Sequence, residues 1–105
     1  MLRGDASVTA RRRAGTPLLV VHCAVTTDPS RPARVGFVVS RAVGGSVVRN
    51  RVVRRLRALV ASRMSSIAPS TDLVVRANPA AAKASFDELS RALDSALTRA
   101  CPAAS

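Results

Sequence analysis

Arg49, Asn50, Arg51, Arg54, Arg55 and Arg57 crowd into one stretch, SVVRNRVVRRLR, residues 46–57. A guanidinium is planar, permanently charged and able to place two parallel hydrogen bonds on one phosphate, so arginines at this density point to a polyanion. Groups for acid–base chemistry are scarce. His22 is the only histidine, and within an apolar run it reads as a packed or edge-exposed side chain rather than a general base. The acids Asp5, Asp28, Asp72, Asp87, Glu88 and Asp94 are scattered along the chain, whereas a two-metal nuclease needs several carboxylates converging on one site. Any reaction this chain serves is therefore expected to be carried out by something else. The backbone N–H groups of Gly44, Gly45 and Ser46, at the start of a helix, form a ready anion site. They lack the Lys-Ser/Thr of a nucleotide-binding loop and any dinucleotide fingerprint.

The whole chain is biased the same way. In 105 residues, 17 Lys and Arg face 6 Asp and Glu, for a net charge of +11. Lys83 is the only lysine, and no acid occurs between residues 29 and 71. The length suits one domain with a single modest core. A membrane surface is the competing polyanion, but no apolar run reaches the roughly 18 residues of a spanning helix, and the N-terminus lacks the apolar stretch of a secretory signal. The expectation is a soluble, cytoplasmic protein that binds nucleic acid. Cys23 and Cys101 are too few and too isolated for a disulfide framework or a metal site and are expected to be ordinary reduced thiols.

The elements that must position the arginines are legible from pattern. PLLVVHCAV (17–25) and RVGFVVS (34–40) read as strands; the loop between them is of hairpin size, so they are expected to pair antiparallel. DLVVRA (72–77) is a third strand. Ser85 and Glu88 form a capping box at the start of the last helix, whose stripe is Phe86, Leu89, Leu93, Ala96, Leu97 and Ala100. The middle helix is expected to begin near Ser46, as N-cap, and to run to about Met64. Residues 1–15 form a basic, weakly periodic N-terminal segment with room for a short helix or a frayed end, 16–100 the folded domain, and 101–105 a tail. Strands mixed with helices around one small sheet make this α+β, with helices on one face.

On the middle helix, Val48, Val52, Val53, Leu56, Leu59 and Val60 fall within an arc of roughly 140° at 100° per residue. Asn50, Arg51, Arg54, Arg55 and Arg57 cover the other side, and Arg49, near the apolar arc but in the first turn, can reach solvent. With no acid to offset them, these like charges cost stability unless a polyanion relieves the repulsion.

RVGFVVSRAVGGSVVRNRVVRRLR, Arg34 to Arg57, resembles the signature of the bacterial ribonuclease P protein family: a strand ending in a Ser-Lys-like pair, a Gly-Asn-like turn, and a helix opening Arg-Asn-Arg. DLVVRANPAAAKASFDELSRAL resembles the same family's final strand, its exit and its last helix. The resemblance implies a mixed sheet of about four strands, akin to the second domain of a small-subunit ribosomal protein, with a left-handed crossover through the arginine helix where general rules favour the right-handed one. It also implies a function: accessory subunit to a catalytic RNA that removes the 5′ leader of precursor tRNA, using Mg2+ bound mainly by RNA and its phosphates. Arg41, Arg49, Asn50, Arg51, Arg54 and Arg57 then match basic or amide positions of the motif, Ser40 and Gly44 match its turn, and Arg55 adds charge to the same helix. The sequence departs from the family pattern at Gly45, where Asn is usual, and at Val53, where a basic residue is frequent. Residues 1–15 contain no aromatic, and the only two in the chain are Phe37 and Phe86. The resemblance thus implies a shortened or diverged first helix, in which Arg11, Arg12 and Arg13 take up part of the leader contact.

Two other classes fit the charge. A ribosomal or ribosome-associated protein would carry similar arginines and would copurify with ribosomal RNA. A DNA-binding regulator would need short polar base-reading side chains on its recognition helix, and four arginines around one asparagine fit backbone contact better. The expected partners are therefore the ribonuclease P RNA and precursor tRNA, with neither DNA nor membrane.

Overall fold

The computed structural model describes residues 8–28 and 30–101. Strands β1 (Val8–Gly15), β2 (Leu19–Thr26) and β3 (Arg34–Val38) precede helix α1 (Ser46–Ala61); β4 (Thr71–Ala77) and helix α2 (Phe86–Ala100) follow. Short 3-10 turns at Met64–Ser66 and Pro79–Lys83 lead into and out of β4. The strands form one mixed sheet in the order β1-β2-β4-β3. This is the α+β architecture expected.

Three expectations are corrected. First, the N-terminal segment is not a shortened helix over its described part: Val8–Gly15 is an edge strand antiparallel to β2, with Arg13 opposite His22 and Arg11 opposite Ala24. Residues 1–7 lie outside the described residues, as do 102–105 of the tail. Second, β2 and β3 are not a hairpin. β4 enters between them, antiparallel to β2 and parallel to β3, so α1 is the crossover that a parallel pair requires. Third, Gly45 rather than Ser46 is the N-cap of α1, with no side-chain cap, and the helix ends at Ala61 instead of near Met64.

The helices lie on one face of the sheet. Leu19, Val21 and Cys23 of β2 and Leu73, Val75 and Ala77 of β4 are buried there, at alternate positions as a half-buried strand demands. Arg57, Val60, Ala61 and Met64 border Val35 and Phe37, placing the end of α1 over β3. Ala100 borders Ala10, Arg12 and Cys23, placing the end of α2 over β1 and β2. Val52, Leu56, Leu59 and Val60 of α1 and Leu89, Leu93, Ala96 and Ala100 of α2 complete the core. Phe86 is an exception to the predicted stripe: it is exposed at the first turn of α2. The capping box is present as expected, Ser85 and Glu88 exchanging hydrogen bonds of 2.8 and 3.0 Å. Ser85, first through its backbone N–H and then through its side chain, holds the Glu88 carboxyl below its ordinary range. Cys23 and Cys101 are free thiols in one cluster rather than isolated from each other; burial first, and then Cys23, pushes the Cys101 thiol up.

Candidate nucleic-acid interface

The chain immediately before α1 is a closed turn. Val43 and Gly44 donate backbone hydrogen bonds to the carbonyls of Ser40 and Arg41, at 3.1 Å each, and the Ser40 hydroxyl accepts from Ala42 N–H at 3.3 Å. Arg41 is exposed on this turn. Gly44 has φ +156°, and a β-carbon there would meet Val48 at 2.9 Å, so both backbone and packing demand glycine. Gly45 has open space around it. No acid occupies the first turn of α1, leaving its positive dipole end to a ligand or solvent.

The arginine face expected on α1 divides in two. Asn50, Arg54 and Arg57 are exposed and border a shallow hollow together with Val47 and Val53. Arg51 and Arg55 are half-buried and turn toward the 3-10 segment after β4, donating to the carbonyls of Ala82 at 3.5 Å and Ala84 at 3.1 Å. Their guanidiniums partly serve the fold, a division that angular position alone did not reveal. Arg49 is half-buried as its place beside the apolar arc implied, and its Nε is buried without a hydrogen-bond partner. Val53, assigned to the apolar arc, sits at the rim of the hollow and outside the core cluster.

The end of α1 is clamped to α2. Arg63 reaches Asp94 with Nε–Oδ1 2.5 Å, donates to the Ser90 hydroxyl at 2.7 Å and to the Leu59 carbonyl at 2.8 Å. Hydrogen bonding to Asp94 raises the Arg63 pKa, and that bond, with the guanidinium's charge, keeps Asp94 below the usual carboxylate range. The clamp fixes the helix that carries the exposed stripe.

The second basic surface is the sheet face without helices. Arg11 and Arg13 stand on it, in register with Ala24 and His22 of β2, which pair in turn with Asp72 and Val74 of β4. Arg76 and Arg34 extend the row toward the β3 edge. Arg11, Arg12 and Arg13 of β1 border one concavity with His22, Cys23 and Ala24 of β2 and with Asp72 and Val74 of β4. Arg12 alternates toward the other face, in register with the buried Cys23 and beside Ala100, while it also borders the edge of that concavity. Asp72 is the only acid on this face among the described residues, and it accepts 2.7 Å bonds from Arg31 and one of 3.3 Å from Arg34. His22, Arg34 and Arg76 were not singled out as binding residues from sequence. The signal was there: His22 and Arg76 alternate with buried neighbours and Arg34 with half-buried ones, as residues on the outer face of a strand do.

The comparisons bear on the fold and the family. The Ribonuclease P family model matches residues 5–101. The ribonuclease P protein component of Streptomyces bikiniensis is 53% identical over 100 residues, covering 89% of this chain and 81% of its own. That of a Nocardioides species is 57% identical over 89 residues, covering 84% and 76%. Among solved structures, the Staphylococcus aureus RNase P protein superposes with TM-score 0.74 at 23% identity, covering 84% of this chain and 79% of its own. The Thermotoga maritima protein gives 0.73 at 22%, covering 85% and 83%. The structures carry the fold, and the sequence relatives carry the family across nearly all of the described domain, arginine helix included: this chain belongs to the ribonuclease P protein component family.

Proposed function

We propose that this chain is the RNA-binding subunit of a ribonuclease P ribonucleoprotein, in which α1 and the turn before it contact the catalytic RNA and the open sheet face holds the 5′ leader of precursor tRNA. The observation that carries this reading is the exposed stripe of Asn50, Arg54 and Arg57. Among the described residues their side chains make no hydrogen bond or ion pair, on a helix with no acid in its first turn. Cations held apart from counter-charges in this way are relieved by phosphates. Ser40, Arg41, Gly44 and Arg49 extend the contact around the helix start. Arg51 and Arg55 add long-range charge while bracing the loop at Ala82–Ala84. Arg11 and Arg13 face the leader across the sheet, with Arg12 at its edge.

Mg2+ for phosphodiester cleavage is assigned to the RNA and its phosphates. The described carboxylates do not fit a metal site: Asp72, Asp94 and Asp87 are paired with arginines, Asp28 bonds Ser30, and Glu88 caps α2. Among the described residues no three His, Cys, Asp or Glu gather as ligands. No helix among them is long and apolar enough to cross a membrane.

Reconstitution with the ribonuclease P RNA of the same organism tests the reading. The protein alone should cleave nothing, and added to that RNA it should lower the magnesium concentration needed to cleave precursor tRNA. Cleavage by purified protein after RNase treatment would refute the assignment.

A further inference from the structure

Val47 is the most exposed large apolar side chain among the described residues, at 78%. A single exposed valine is ordinary on a protein surface, but this one has company. Val53 borders the same hollow, and Asn50, Arg54 and Arg57 complete it. Residues 47, 50, 54 and 57 follow one another at three and four steps, so they form one stripe along α1, with Val53 beside it. The hollow is shallow and lined by α1 alone, so a ligand there would keep one side open to solvent or to the rest of a larger partner. Its chemistry is mixed: two apolar side chains lie among one amide and two guanidiniums, and the amide and guanidiniums make no hydrogen bond or ion pair among the described residues.

A continuous RNA duplex presents phosphates and sugars to such a surface. Arg54 and Arg57 would gain from it, but the two valines would stay wet and the Asn50 amide would have no base edge to meet. An unpaired, splayed nucleotide offers an apolar ring face, a polar edge and flanking phosphates together, which is the form in which RNA sequence is usually read. We propose that the Val47–Asn50–Val53–Arg54–Arg57 hollow seats one unpaired nucleobase of folded RNA. The valines meet the base face, Asn50 its edge, and Arg54 and Arg57 the adjoining phosphates. This inference rests on the RNA-binding reading above and adds to it the kind of RNA feature that α1 recognises.

The test uses the full chain and two synthetic RNA hairpins that differ in one respect: a single 2-aminopurine is bulged from the stem in one and paired in the other. The bulged hairpin should bind about tenfold more tightly, the effect of burying much of one valine side chain, and its 2-aminopurine fluorescence should change on binding. Val47→Ser, a surface change, should remove most of that preference while leaving affinity for the paired hairpin unchanged. Val53→Lys should tighten binding to both hairpins and narrow the gap between them. Thermal melting of each variant verifies its fold. Equal binding of both hairpins by the unaltered protein, or full preference retained by Val47→Ser, would overturn the base seat and leave the RNA-binding reading standing. Failure to bind either hairpin at low salt would overturn both.

Discussion

Gly44 and Val48 are in such close approach that a β-carbon on the glycine would lie 2.9 Å from two carbons of the valine. The contact closes the turn onto the first helical turn of α1 and sets where its basic stripe begins. Gly44→Ala should destabilise the fold by about 1–3 kcal/mol, from positive φ and the steric clash together. Gly45 has open space and a φ of −71°, and Gly45→Asn, which supplies the missing cap, should stabilise by no more than a few tenths of a kcal/mol, roughly. Urea denaturation of the two variants checks the contrast. Equal stabilities would mean that the approach to Val48 does not restrain the turn.

The division of the arginine face predicts two kinds of variant. Arg54→Ala and Arg57→Ala should each reduce the slope of log affinity against log salt for the catalytic RNA by about one, the signature of a lost phosphate contact. Arg55→Ala loses its bond to the Ala84 carbonyl and should instead cost about 0.5–1.5 kcal/mol of folding stability, with a smaller change in salt slope. Salt titrations alongside denaturation curves separate the two classes. A full unit of slope lost in Arg55→Ala would show that its guanidinium leaves Ala84 to bind RNA.

The helices were the most legible part of the sequence because their signals are local. The Ser85–Glu88 box and a stripe at three and four placed α2 within a residue of its start, and the Gly44-Gly45 break placed α1. Strand order was not legible in the same way. Nothing in PLLVVHCAV or RVGFVVS records that DLVVRA will enter between them, since parallel pairing is decided by how α1 packs rather than by either strand. Val8–Gly15 was hidden for another reason. It is an edge strand built from VTARRRAG, whose only buried residue with a described side chain is Ala14, so it has almost no hydrophobic alternation to detect, and charged residues are what edge strands favour. The arginine face of α1 was legible in residue type but not in division, because angular position on a helix does not show which guanidiniums find carbonyls on a neighbouring loop.

The Arg63–Asp94 clamp should make stability depend on acid pH. Asp94 has its pKa lowered in the folded protein, by the Arg63 hydrogen bond and then its charge. Its contribution is therefore fully present above the unfolded aspartate value, near 3.9, and is lost as pH falls through the lower folded value. The Asp94 side chain is 59% exposed, so solvent screening limits the contribution to under about 1 kcal/mol. Asp94→Asn should thus be slightly less stable than the unaltered protein at pH 7, with the gap closing as acid protonates Asp94 in the folded protein. A gap independent of pH would assign the loss to something other than the charge on Asp94.

The last prediction concerns the three consecutive arginines of β1. Successive strand side chains point to opposite faces, and the register puts Arg11 and Arg13 on the open sheet face while Arg12 faces the α2 side. If the leader lies on the open face, alternation becomes a functional pattern. Arg11→Ala and Arg13→Ala should each weaken precursor tRNA binding by the holoenzyme and reduce its salt slope by about one. Mature tRNA, lacking the leader, should bind as before. Arg12→Ala, at the edge of that face, should have the smallest effect on both. A basic tail acting only through its net charge would respond equally to all three substitutions, because each removes one positive charge. Paired binding measurements with precursor and mature tRNA, at one magnesium concentration and several salt concentrations, distinguish the two outcomes. Equal losses across Arg11, Arg12 and Arg13 would remove the open face as the leader's seat and leave β1 as a diffuse source of charge.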